Sequence, residues 1–157
     1  MILIIGPLTG GHVNPAVTLG TFMVRLGSDN PKHSVVQDFL MSFWMKIAQF
    51  VGACLGAFMY LGTFSGGKAP SSFAMLYPAT STIFGTFFVE FLGTFFFVTI
   101  ILLHKDGKVQ PTLTGDGMLM KVSVAVTLAA MIFIAAPYSG ACFNPAVAIG
   151  LRVLCVN

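Results

Sequence analysis

Charged side chains are scarce in this sequence, which has eight Lys or Arg and five Asp or Glu among 157 residues. Charged residues make up 8% of the chain and hydrophobic residues 56%, and the mean hydropathy is +0.90. Because soluble domains have about 25% charged residues, this composition excludes an ordinary water-soluble domain and favours a protein surrounded by lipid. The formal net charge of +3 is too small to indicate a nucleic-acid-binding protein.

Cysteine is also rare, and Cys54, Cys142 and Cys155 form no closely spaced pair. Neither a disulfide framework nor a zinc site is therefore expected. The sequence has no nucleophile paired with a base, no phosphate-binding glycine loop and no cluster of metal ligands. We expect no enzymatic activity, no metal and no cofactor.

Long apolar runs are present instead. A bilayer crossing needs about 20 apolar residues, and three segments satisfy this requirement: 43–64, 83–103 and 118–136. The first contains Ala48, Gly52 and Gly56 on one helix face, which predicts close packing of a neighbouring helix there. The sequence thus predicts an integral, multi-pass, all-α membrane protein. It does not indicate which membrane contains it.

The basic residues indicate how the predicted helices are oriented. Three crossings place most of them on one side of the membrane, as the positive-inside rule requires of the cytosolic side. These residues are Arg25, Lys32, Lys46, Lys105, Lys108 and Lys121, whereas Lys68 falls on the opposite side.

One segment occurs twice, 130 residues apart. Eight of seventeen positions agree between residues 4–20 and 134–150, and both copies contain Asn-Pro-Ala-Val, beginning at Asn14 and Asn144. The apolar segments 14–25 and 144–154 are only about half as long as a bilayer crossing requires. Because an odd number of spanning helices separates them, the copies enter the membrane from opposite faces, as in an inverted repeat.

Asn followed by Pro is by itself an ordinary helix start, since Asn caps free backbone N–H groups and Pro suits the first turn. Two copies in matching flanks favour a functional pair instead. A short helix ending in the membrane presents the positive end of its dipole there, and opposed tips would repel cations. If each Asn oxygen caps its own helix, both amide N–H groups remain free for a passing molecule.

The paired Gly-x-x-x-Asn-Pro-Ala-Val segments, flanking what would be helices three to five, resemble the aquaporin or major intrinsic protein family. The resemblance implies an aquaporin-like right-handed helical bundle as a single domain over 1–157, with residues 1–8 ending helix two. It also implies a passive channel for water, and for small neutral solutes such as urea or hydrogen peroxide, in a homotetramer. The implied pore motifs are Asn14, Pro15 and Ala16 with Asn144, Pro145 and Ala146.

The resemblance implies further site residues. Backbone carbonyls of His12, Val13, Cys142 and Phe143 would line the pore. A selectivity filter would include Ile132, Ala141 and Val147, a set similar to that of plant tonoplast intrinsic proteins. Strict water channels usually have His and Arg where this sequence has Ile132 and Val147, so a wider, less polar constriction is expected.

Three polar residues have competing interpretations. A carboxylate in the middle of a span, such as Glu90, is a functional-site candidate by default, but the resemblance favours structural support of a re-entrant loop. His12 and Cys142 occupy matching repeat positions and suggest a metal pair, but two ligands are too few for a metal site.

A complete family member has six spanning helices, and this sequence supplies three. Helix one, most of helix two and helix six are not among them, so the sequence is either an incomplete copy of a longer protein or a reduced relative serving another purpose. Two hypotheses remain: a channel conducting water and small neutral solutes, or a non-conducting, aquaporin-derived structural subunit that assembles with other membrane subunits.

Overall fold

The computed structural model describes residues 10–28, 33–64, 82–105 and 117–154. Within these ranges the chain forms five helices and no strand. They are α1 (Pro15–Leu26), α2 (Val35–Phe64), α3 (Ile83–Lys105), α4 (Gly117–Ser139) and α5 (Pro145–Leu154). The predicted end of helix two at 1–8 lies outside the described residues.

Three of these helices, α2, α3 and α4, are long and apolar enough to cross a membrane. The two short helices flank them in sequence: α1, of 12 residues, precedes α2, and α5, of 10 residues, follows α4. At a rise of about 1.5 Å per residue, neither short helix can span a hydrocarbon core about 30 Å thick. The expectation of an all-helical membrane bundle is confirmed.

The predicted start of the first spanning helix at residue 43 is too late, because α2 already begins at Val35. Ser34 and Gln37 form a capping box: the Gln37 N–H donates to Ser34 Oγ (3.3 Å), and the Ser34 N–H donates to Gln37 Oε1 (3.0 Å). Arg25 at the end of α1 donates to Asp38 Oδ1 at 2.9 Å, which ties the two helices together. The early start thus follows from a local signal, Ser-Val-Val-Gln.

Helix α4 also extends beyond its predicted end at residue 136, since it includes Pro137 and stops at Ser139. Gly140 follows with a positive φ of 86°, the conformation in which many helices terminate. Its N–H donates to the carbonyl of Ala136 at 3.1 Å. The chain leaves α4 here and enters the second repeated segment.

Small residues allow α2 and α5 to pack closely. A Cβ added to Gly150 would lie 2.9 Å from the carbonyl atoms of Ala53, so no larger residue fits without displacing the helix backbone. The predicted packing face at Gly52 and Gly56 contacts no helix among the described residues, since a Cβ there meets no atom within 4 Å. Helix α2 therefore packs against α5 through an adjacent face.

Two small clusters form the buried core. Val17, Phe97 and Val124 join α1, α3 and α4, whereas Ala135, Ala141 and Phe143 join the end of α4 to the segment before α5. Many large apolar side chains on the spanning helices are exposed, including a stacked series on α3: Phe87, Phe91 and Phe95. Since lipid is as apolar as these side chains, such exposure carries no hydrophobic penalty in a membrane.

Candidate functional site

The N-terminal tips of α1 and α5 meet and exchange hydrogen bonds. The side-chain amide of Asn14 donates to the carbonyl of Phe143 at 2.7 Å. In the same way, the amide of Asn144 donates to the carbonyl of Val13 at 3.0 Å. Each asparagine therefore binds the residue that precedes the other asparagine, and the contact has the symmetry of the sequence repeat.

Each asparagine also caps its own helix. Asn14 Oδ1 accepts from the N–H of Ala16 at 2.9 Å, and Asn144 Oδ1 accepts from the N–H of Ala146 at 3.1 Å. One of the two amide hydrogens on each side chain is used across the contact, so the expectation that both remain free is wrong. One N–H per asparagine is left for another acceptor.

Three of the four carbonyls expected to line a pore accept hydrogen bonds within the protein. Val13 and Phe143 accept from the opposite asparagines, and the carbonyl of His12 accepts from the side chain of Gln49. A carbonyl oxygen has two lone pairs, so each of these groups can still accept a second hydrogen bond. Their first role in this structure is to hold the two tips together.

Glu90 holds the segment between α4 and α5, here called the second loop (residues 140–144). Its Oε1 accepts from the N–H of Cys142 (3.0 Å) and from Ser139 Oγ (2.6 Å), and its Oε2 accepts from the N–H of Phe143 (2.9 Å). Ala141 and Phe143 have positive φ angles of 52° and 48°, a conformation that L-residues rarely adopt. The carboxylate thus satisfies backbone groups of a loop whose conformation is intrinsically unfavourable.

Side chains from two helices hold the segment before α1, here called the first loop (residues 10–14). Gln49 on α2 donates to the carbonyl of His12 and also to Thr18 Oγ1, the latter at 2.9 Å. Lys105, the last residue of α3, places Nζ 2.5 Å from His12 Nε2 and 3.5 Å from the carbonyl of Gly10. Both loops are consequently fixed by polar side chains of the spanning helices.

The arrangement of two short, opposed, Asn-capped helices among spanning helices can be compared with known proteins. A family model described as "Major intrinsic protein" matches residues 1–157. The chain belongs to the major intrinsic protein family. With its three apolar helices, it is an integral, multi-pass membrane protein.

Curated relatives of this major intrinsic protein include plant and bacterial proteins. Aquaporin TIP1-1 of Arabidopsis thaliana is 29% identical over 147 residues, covering 94% of this chain and 52% of the relative. Probable aquaporin PIP2-7 of Oryza sativa subsp. japonica is 31% identical, covering 95% and 48% respectively. Glycerol uptake facilitator protein-like 6 of Lactiplantibacillus plantarum is 29% identical, covering 92% and 61%. The chain thus spans about half the length of the curated relatives it matches.

The three residues predicted to form a selectivity filter differ from one another in how exposed their side chains are. Ile132 and Val147 are 39% and 40% exposed, so their side chains are available to border a solute path. Ala141 is 6% exposed, and its side chain packs with Ala135 and Phe143. At position 141, only the backbone can therefore face such a path.

The environments of His12 and Cys142 differ although their repeat positions match. Burial, followed by the charges of Lys105 and Arg25, lowers the pKa of His12 from 6.5 to about 4. Burial raises the pKa of the Cys142 thiol, and Cys142 Sγ donates to the carbonyl of Asn144 at 3.3 Å. Within the described residues, no group of three or more His, Cys, Asp or Glu side chains could hold a metal ion.

An apolar groove of about 640 Å³ lies beside the contact between the tips. It is bordered by α1, α3 and the second loop, and Asn144 and Glu90 are among the few polar residues in its wall. Asn14 is only 5% exposed, whereas Asn144 is partly exposed. The remaining amide N–H of Asn144 is therefore the more accessible of the two.

Proposed function

We propose that this major intrinsic protein is a passive channel for water and small neutral solutes. The observation that supports it most strongly is the reciprocal bonding of Asn14 and Asn144 at the tips of two opposed short helices. This contact aims two helix N-termini and two amide donors at one place within the membrane.

The electrostatics of this place favour neutral solutes over cations. A helix N-terminus carries the equivalent of about half a positive charge, and here two such ends lie together. The carboxylate of Glu90 lies close by, where the N–H groups of Cys142 and Phe143 donate to it. Aquaporin-type selectivity is generally attributed to pore diameter, lining hydrogen-bond groups and half-helix dipoles. A water molecule accepting from the free N–H groups of both asparagines would turn its hydrogens away, which interrupts a proton-conducting chain of waters.

The solute range proposed here includes urea and hydrogen peroxide. Ile132 and Val147 provide apolar side chains where His and Arg would narrow the path and add donors. A passage bordered by these side chains discriminates less against neutral solutes larger than water. Related proteins include one named as a glycerol uptake facilitator and others named as aquaporins.

Replacing Val147 with Arg is expected to lower urea permeability by about tenfold while reducing water permeability less, because the bulk and the five donors of a guanidinium would narrow the path for the larger solute. The ratio of the two permeabilities in proteoliposomes measures this effect. Val153→Arg, on the same helix α5, is the matched control and is expected to leave the ratio unchanged. Equal loss of both permeabilities in Val147→Arg would contradict a filter role.

The proposed assembly is a homotetramer in a lipid bilayer, with one pore in each subunit. Exposed apolar side chains along α2, including Trp44, Leu55 and Met59, provide surface for lipid or for neighbouring helices. Native mass spectrometry of the detergent-solubilised protein tests the subunit number.

Stopped-flow light scattering of proteoliposomes tests the function directly. The proposal predicts faster osmotic shrinkage than in empty vesicles, with a weak temperature dependence. Permeability equal to that of empty vesicles, at verified protein incorporation, would overturn the channel proposal. It would support the alternative of a non-conducting structural subunit that assembles with other membrane subunits.

A further inference from the structure

Helix α3 contacts both re-entrant loops, but with opposite charges. Glu90, in the middle of α3, accepts from the backbone of the second loop. Lys105, at the end of α3, lies against His12 Nε2 and the carbonyl of Gly10 in the first loop. The sequence repeat therefore does not extend to these contacts, since a carboxylate supports the second loop and an ammonium supports the first.

The chemistry of the pair determines the state of His12. A lysine ammonium has three donors and no acceptor, so Nε2 must be the accepting, unprotonated nitrogen. His12 is therefore neutral, with its hydrogen on Nδ1. If the ring were cationic, Nε2–H would oppose the ammonium, and the hydrogen bond to Lys105 would be lost.

The charged side chains around His12 also favour its neutral form. Lys105 on α3 and Arg25 on α1 both act on the ring. Asp38 on α2 is paired with Arg25 rather than with His12. The other side chains near the ring or its backbone, Thr21 and Gln49, are uncharged. The imidazole thus faces two cations and has no carboxylate partner among these contacts.

The position of His12 connects this pair to the centre of the site. His12 directly precedes Val13, whose carbonyl accepts the amide hydrogen of Asn144. Gly10 and Gly11 have positive φ angles of 76° and 66°, which glycine adopts without strain. The side chains of Gln49 and Lys105 then hold the first loop in place. A displacement of the His12 ring would therefore move the carbonyl on which one of the two crossing bonds depends.

We propose that Lys105 is a positioning residue for the first loop, and that its positive charge keeps His12 neutral so that Val13 remains in place for Asn144. This inference rests on the proposed channel function. The inference predicts that the solute path keeps the same geometry across the physiological pH range. Lys105 acts through His12 and needs no contact with the solute.

The electrostatics support this prediction. With the pKa of His12 at about 4, the neutral ring persists throughout the physiological pH range. Burial is the largest cause of the lowered pKa, and Lys105 is the second. Removing Lys105 therefore raises the pKa of His12 part of the way back towards 6.5, so that protonation begins in mildly acidic solution.

Lys105→Met tests the inference in proteoliposomes at several pH values. Wild-type permeability is expected to be nearly constant between about pH 5 and 8, whereas Lys105→Met should lose about threefold or more at the acidic end as His12 becomes charged. Lys105→Arg restores a permanent charge and should behave as wild type. Lys121→Met removes a lysine from the start of α4 and serves as the matched control, with a constant profile.

Histidine NMR provides a readout that does not depend on transport. With 13C-labelled histidine, His12 should titrate at higher pH in Lys105→Met than in wild type. If Lys105→Met does not fold, Lys105→Gln retains a donor without charge and should show the same upward shift. An unchanged His12 titration and an unchanged pH profile would overturn the inference. If wild type shows no permeability but His12 still titrates at higher pH in Lys105→Met, only the proposed channel function is refuted.

Discussion

Replacing Glu90 with Ala is expected to abolish channel activity and to destabilise the protein by about 3 kcal/mol or more. The N–H groups of Cys142 and Phe143 lose their acceptor at once, and Ser139 Oγ keeps only a longer bond to the carbonyl of Ala135 at 3.4 Å. A buried donor left without a partner costs about 1–3 kcal/mol. Thermal unfolding of the purified protein measures the loss of stability, and stopped-flow light scattering of proteoliposomes measures the loss of channel activity.

Amide substitutions refine this test. Glu90→Gln keeps the shape of the side chain but replaces one accepting oxygen with an NH₂ group that faces backbone donors, so an intermediate loss of stability is expected. Asp38→Asn makes the same chemical change at a carboxylate that bonds Arg25 instead of the second loop, and should have a smaller effect. If Glu90→Ala unfolds at the same temperature as wild type, the carboxylate does not support the loop.

Replacing Asn14 with Asp is expected to separate helix capping from the contact between the tips. Asp is as good an N-cap as Asn, so the bond to the N–H of Ala16 can be retained. The donor to the carbonyl of Phe143 is lost, however, and an oxygen faces an oxygen. At a cost of about 1–3 kcal/mol, the equilibrium constant for docking of the two tips falls by about 5- to 150-fold, which lowers the number of open channels. The swelling rate of vesicles with equal amounts of incorporated protein measures this loss.

The two asparagines provide an internal comparison. Asn14 is 5% exposed and Asn144 is partly exposed, so solvent can compensate a lost bond better at Asn144. Asn144→Asp should therefore reduce permeability less than Asn14→Asp. Size-exclusion chromatography and circular dichroism show whether each variant remains folded and helical. Wild-type permeability in a folded Asn14→Asp protein would contradict the role proposed for the crossing bonds.

Several features of this fold could be predicted from the sequence because they depend on local or periodic patterns. The apolar runs predicted the three spanning helices, and membership of the major intrinsic protein family is confirmed by the family match. The start of α2 was missed although Ser34 and Gln37 have the spacing of a capping box. That signal was available in the sequence, but the polar composition around it was interpreted as a connection.

Other features depend on contacts between residues far apart in the chain. The packing face of α2 was assigned to a stripe of small residues, yet the partner of Gly150 is Ala53, on a different face. The exchange of asparagine hydrogens with Val13 and Phe143 was also missed, because a sequence shows that an amide has two donors but not which acceptor is opposite. Lys105 could not be connected to His12 for the same reason, since 93 residues separate them.

Composition, hydrophobic runs and the repeated Asn-Pro-Ala segments determined by themselves that this is a helical membrane protein with an inverted repeat. These properties depend on transfer free energy and on backbone propensities, which act along the chain. Only the tertiary structure decided which carbonyl each asparagine binds, which backbone groups Glu90 satisfies and which ring Lys105 holds. Such pairings depend on distances of a few ångströms between separate helices, and hydrogen bonds lose their strength beyond that range.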